Sequence, residues 1–89
     1  MPSSDLARVL ATIAYNITLA RRFVAGMKFE EFAEDERTVY AIVRCLEIIS
    51  EASRRLPNDL KARHPQVRWQ QMAAAGNVYR HEYEDIVAE

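Results

Sequence analysis

Residues 69–83, WQQMAAAGNVYRHEY, decide how this chain is read. Only here do a histidine, an asparagine, an arginine and two tyrosines fall close together at helical spacing. On a continuous helix Asn77 and His81 share a face, with Asp85 one turn further on. Arg80 and Glu84 form a second such pair on an adjacent face, and Tyr79 and Tyr83 a third. Residues 72–75 predict helix, and Gly76 interrupts the pattern. A glycine costs about 1 kcal/mol relative to alanine inside a helix. It therefore marks a kink, a close approach to another backbone, or a break at which Asn77 caps a new helix.

Working back from that segment, Trp69 is expected to anchor the last packing layer, and His64–Pro65 to end a short helix that Pro57 starts. A longer helix precedes it, with Asp35 as its cap and Val39, Ile42, Val43, Leu46, Ile49 and Ala52 or Ser53 as its apolar stripe. Glu47 and Glu51 lie one turn apart on that element without a histidine at metal-binding spacing, and Glu51 is a candidate to pair with a basic group elsewhere. Phe29 and Phe32 predict a short turn held by a local hydrophobic plug. The first helix starts near Ser3, Ser4 and Asp5 and carries Leu6, Val9, Leu10, Ile13, Ile17, Ala20 and Val24 as its expected buried stripe. Arg21 and Arg22 suit its C-terminal end, and Gly26 is its stop. Arg8 and Arg22 are solvated helix charges with a secondary reading as phosphate contacts.

The 89 residues predict one all-α domain spanning 1–89: two glycines and three prolines punctuate it, and 49% of it is hydrophobic. A chain of this size buries only roughly 60–65% of its extended surface, which favours a partner subunit. The formal net charge of −1 excludes a general nucleic-acid coat protein but leaves room for a local phosphate site. The one cysteine, Cys45, rules out an internal disulfide and sits in an apolar run, as a buried thiol does. With no basic leader and no apolar run of about 20 residues, the expectation is a cytoplasmic protein without a membrane span.

Two histidines and no Cys-x-x-Cys, glycine-rich phosphate loop or serine elbow leave metal-free phosphoryl transfer as the chemistry best suited to these residues, with no cofactor and no metal. RNA carries its own nucleophile. A neutral histidine accepts the 2′-OH proton, and its protonated form assists the leaving 5′-oxygen, giving a 2′,3′-cyclic phosphate. A cation or several hydrogen-bond donors must steady the charge that develops on the phosphate oxygens. Arg80 is long enough to do so and also stands where it can bond Glu84.

Three landmarks, VRCLEIISEASRRLP, HPQVRW and GNVYRHEY, preceded by the short FEEFAED element, resemble the HepT family of the HEPN helical domains over nearly the whole chain. The resemblance implies an antiparallel helical bundle, a two-fold homodimer, and the toxin of a type VII toxin–antitoxin pair. The toxin would be a metal-independent endoribonuclease acting on RNA, and its partner an MntA-like nucleotidyltransferase antitoxin. The family motif is Arg-Asn-x-x-x-His with a tyrosine two residues later. Asn77, His81 and Tyr83 match it, which would make His81 the general acid/base, Asn77 its orienting or phosphate-contacting partner, and Tyr83 the modification site. Glu51 matches a recurrent acidic position. Gly76 stands where the motif has its arginine. Family chains also commonly carry a further helix, which this one would lack.

Three hypotheses stay open. The first is an RNase working in a groove between subunits. The second is a non-catalytic helical protein that keeps the antitoxin-binding surface, favoured by Gly76. The third is an RNA-binding module without chemistry. A Gly76→Arg variant that gained RNase activity would identify the guanidinium as the missing group.

Overall fold

The computed structural model describes residues 3–76. It is built from α1 (Ser3–Val24), α2 (Phe29–Glu34), α3 (Glu36–Arg54) and α4 (Asn58–Ala62), followed by a helical segment, α5, over residues 69–76. No strand occurs among the described residues. The all-α expectation holds.

Local chemistry accounts for the boundaries. α1 stops at Gly26, whose φ of 78° lies in the left-handed region that a glycine enters without steric cost. The Met27 amide there donates to the Val24 carbonyl at 3.0 Å. At the head of α2 the Glu31 carboxylate accepts the Lys28 backbone N–H at 3.0 Å, one half of a capping box. Asp35 caps α3 as its position predicts, its Oδ1 accepting the Thr38 N–H at 3.2 Å. Pro57 falls one residue earlier than expected, as the residue flanking α4 instead of its first helical position.

The core lies along one seam. Val9 and Ile13 of α1 meet Ile49 and Ala52 of α3 and Leu56 just beyond it, and Leu6, Leu60, Trp69 and Met72 close over them. The first half of α1 thus lies against the last half of α3, so the two helices run antiparallel. Each of the larger aliphatic side chains contributes about 1.5–3 kcal/mol by leaving water.

The α1 stripe differs from its expected membership. Leu10 and Ile17 remain 42% and 43% exposed, whereas Asn16 is only 6% exposed. The buried register is 6, 9, 13, 16, 20, in alternating steps of three and four, and Leu10 and Ile17 sit about 100° around from it. Asn16 tolerates the inner position because its Nδ2 donates to the Thr12 carbonyl at 2.9 Å.

α2 is a shallow attachment to α3. Phe29 and Phe32 do pack together, ring centroids 6.4 Å apart and tilted by 47°. Phe29 is nevertheless 75% exposed, so the pair covers the turn without sealing it.

Among the described residues, no helix is long and apolar enough to cross a membrane.

Candidate active site

The segment singled out from the sequence starts inside the described structure and continues past it. Asn77, Arg80, His81 and Tyr83 lie outside the described residues. The platform that leads into them is described, and it is held at both ends.

At its start, the Trp69 indole Nε1–H donates to the Lys61 carbonyl at 3.2 Å and to the His64 carbonyl at 3.0 Å. The ring is half-buried against the core, so one side chain ties α5 to α4 and to the His64–Pro65 turn. Trp69 is the anchor the sequence predicts, and Pro65 follows the end of α4 as predicted.

At the other end the backbone of α5 comes close to α3. The Ser50 hydroxyl donates to the Met72 carbonyl at 2.8 Å and accepts the Gly76 N–H at 2.9 Å. Met72 O and Gly76 N are the two ends of one i→i−4 helical rung, so a single hydroxyl from α3 engages both. A Cβ built on Gly76 would stand 2.7 Å from Glu47 Cα, 2.9 Å from Glu47 N and 3.0 Å from Leu46 O. Ser50 faces Met72, and Glu47 faces Gly76, so α5 runs antiparallel to α3. Of the three readings open for Gly76, close approach of a second backbone is the one observed, and the helix reaches this residue unbroken.

This geometry corrects the remedy suggested by the sequence. An arginine at position 76 would need its Cβ where the α3 backbone already is, and backbone cannot swing aside as a flexible side chain does. Gly76→Arg therefore tests the packing of α5 before it tests catalysis. Ser50 is the residue sequence reasoning passed over. It is 1% exposed. Its one signal is a small polar residue inside the apolar register of α3, matched by a glycine on the helix that follows.

The remaining candidates are placed as follows. His64 is exposed and takes part through its backbone, as a helix-end residue does. Arg8 lines a small hollow with Asp5, Thr12 and Arg55, and Arg22 lines another with Arg21 and Thr18. Glu51 is exposed on α3. Cys45 is buried and unpaired, and burial pushes its thiol pKa up, which suppresses the reactive thiolate. An open cleft of about 530 Å³ beside Trp69 is edged by Asn58, Lys61, Arg68, Gln70 and Gln71. Among the described residues no three His, Cys, Asp or Glu side chains gather as metal ligands do.

Comparison with known proteins extends beyond the described residues. The family described as ribonuclease HepT-like matches residues 13–89 and so includes Asn77, Arg80, His81 and Tyr83. A protein of Thermococcus cleftensis, named as a probable ribonuclease HepT, is 42% identical over 74 residues, which is 83% of this chain and 67% of that protein. Two proteins of Methanocaldococcus jannaschii named as RNases are 37% and 31% identical over 83 residues, covering 93% of this chain and 69% of each relative. No solved structure gives a significant match. The family match and these relatives agree with the helical order and with the resemblance carried by the three motifs, and the chain belongs to the HepT-like ribonuclease family.

Proposed function

We propose that this chain is a metal-independent endoribonuclease, the toxin of a type VII toxin–antitoxin pair, cutting RNA with His81 as general acid/base. The observation that carries the reading is the family match through residue 89, which takes in the Asn-x-x-x-His spacing of Asn77 and His81. The described part of α5 adds a mechanical reason: it is clamped at Trp69 and at Gly76, immediately before Asn77. Catalytic groups need such a rigid base to hold a reacting geometry.

In the reaction, a neutral His81 imidazole nitrogen accepts the proton of the ribose 2′-OH as the 2′-oxygen attacks phosphorus. The bond from phosphorus to the 5′-oxygen breaks, and the protonated imidazole returns its proton to that oxygen. The products are a 2′,3′-cyclic phosphate and a free 5′-hydroxyl. Asn77 orients the imidazole or contacts the phosphate. Arg80 supplies the positive charge, since position 76 has no side chain to supply it. Two chains form a homodimer whose groove takes the RNA, in the cytoplasm. An MntA-like nucleotidyltransferase antitoxin is the partner, and Tyr83 its modification site.

Incubation of labelled RNA in EDTA with wild type and His81→Ala, followed by end-group analysis, tests this. The expected result is a 2′,3′-cyclic phosphate product from wild type and none from the variant. Equal product from both proteins would reject the assignment of His81.

A second reading is favoured by Gly76 itself: a non-catalytic helical protein that keeps the antitoxin-binding surface. It predicts partner binding without RNA turnover by wild type.

A further inference from the structure

We infer that the open cleft between α4 and the start of α5 is a docking site for an RNA strand, whose phosphates rest on Lys61 and Arg68. The choice of RNA as the ligand rests on the ribonuclease reading.

Residues 54–68 carry five lysines and arginines against one acidic residue, Asp59, in a chain whose formal net charge is −1. The rest of the chain is therefore net acidic and repels a polyanion, so phosphate neutralisation has to come from this stretch. The fold then gives that charge a shape. Lys61 belongs to α4 and Arg68 directly precedes α5, and the turn between them brings both to one cleft of about 530 Å³. Trp69 fixes the two walls relative to each other, since its indole N–H donates to the Lys61 and His64 carbonyls. Those bonds use the main chain of Lys61 and leave its ammonium for a ligand. Asn58, Gln70 and Gln71 complete the polar lining, and among the described residues no carboxylate joins it. Nor, among the described residues, does any of these five polar side chains have a hydrogen-bond or ion-pair partner. The cations supply charge, and amides that both donate and accept suit the phosphate oxygens, ribose hydroxyls and base edges of a strand. The other cationic hollows offer less. Asp5 lines the one at Arg8 and Arg55, where a phosphate would face its carboxylate, and the one at Arg21 and Arg22 is lined by residues 18–25 alone.

The test is the affinity for a labelled, fully 2′-O-methylated single-stranded RNA, read by fluorescence anisotropy across a salt series. That RNA has no free 2′-hydroxyl to act as nucleophile, so binding is read without turnover. Each phosphate contact to a single strand contributes about 0.7 to the slope of log K against log salt. Lys61→Gln/Arg68→Gln should lower the slope by about 1.4 and weaken binding about 25-fold at about 0.1 M salt, at an unchanged Tm. Gln71→Glu, which brings a negative charge into the cleft while suiting the first turn of α5, should weaken binding as well. Arg37→Gln/Arg44→Gln makes the same change in net charge at two exposed α3 positions outside the cleft. It should weaken binding less than about threefold, because salt screens exposed charges that do not touch the strand.

Wild-type affinity and slope in Lys61→Gln/Arg68→Gln would overturn the inference, as would an equal loss in Arg37→Gln/Arg44→Gln. Displacement of the RNA by poly-glutamate as effectively as by unlabelled RNA would assign the cleft to an acidic protein surface instead. A wild type that binds no RNA overturns the docking site. A wild type that binds through the cleft yet leaves unmodified RNA uncut supports the docking site and overturns the catalytic reading alone.

Discussion

α3 packs against two helices in two different ways. Toward α1 it offers Ile49 and Ala52, which with Leu56 meet Val9 and Ile13 in an apolar seam where side chains fill the space between backbones. Toward α5 it offers the Ser50 hydroxyl and the backbone of Leu46 and Glu47, and Gly76 brings no side chain of its own to the contact. The first seam can adjust, because side chains have alternative rotamers and volume can be traded among neighbours. The second cannot, because neither backbone has anywhere to go. One helix thus carries a seam filled by side chains and, on a neighbouring face, a close backbone contact, and in sequence the proposed catalytic residues follow the second.

The largest effect expected from breaking this contrast is at Gly76. Gly76→Arg should destabilise at or above the top of the ~1–3 kcal/mol range typical of overpacked sites, leaving little folded protein. Gly76→Ala should lose about 1–3 kcal/mol in chemical denaturation, although helix propensity alone predicts a gain of about 1 kcal/mol. A gain would mean that α5 does not rest on α3 as described.

Truncating the other seam should also be costly. Leu56→Ala should lose about 2–5 kcal/mol by transfer and cavity terms. Its residual folded fraction should keep a wild-type KM and kcat once corrected for the fraction unfolded. A kcat loss beyond that correction would show the two seams to be coupled.

The smallest effect sits at the head of α3. The Thr38 N–H bond to Asp35, with Thr38's side chain and the nearby Arg37 charge assisting, holds the Asp35 carboxyl below its ordinary value of 3.8. A depressed carboxyl pKa stabilises the fold at pH above the ordinary value, and that contribution is lost as pH falls through the folded value. The Tm difference between wild type and Asp35→Ala should therefore be constant from about pH 7 to 5 and close in more acidic solution. A difference unchanged at about pH 2 would mean that the carboxylate charge is not what caps the helix.

What could be read from the sequence follows the same division. Val9, Ile13, Val39 and Ile49 were recoverable because their three- and four-residue spacing is a property of one helix at a time, and Asp35 and Gly26 act on their own neighbours. Periodicity does not say which of two adjacent apolar rows faces inward, so it places Leu10 and Ile17 in the core along with Val9 and Ile13. Asn16 takes the inner row by bonding back to Thr12. The Ser50–Gly76 junction joins residues 26 apart on different helices. Nothing in local spacing encodes that pairing, so glycine could be recognised as special without its reason. Asn77, His81 and Tyr83 are legible as a motif, and the roles proposed for them come from the resemblance, whereas Arg80 is legible only as a long cationic side chain next to the histidine.

Because position 76 is occupied by packing, the account assigns the phosphate-steadying charge to Arg80. The most direct measurement is single-turnover cleavage of labelled RNA by wild type and Arg80→Ala, with thermal unfolding of both. The account predicts a loss of about 100-fold or more in the cleavage step, the scale seen when a transition-state donor is removed, at an unchanged Tm. Cleavage by Arg80→Ala at the wild-type rate would contradict it.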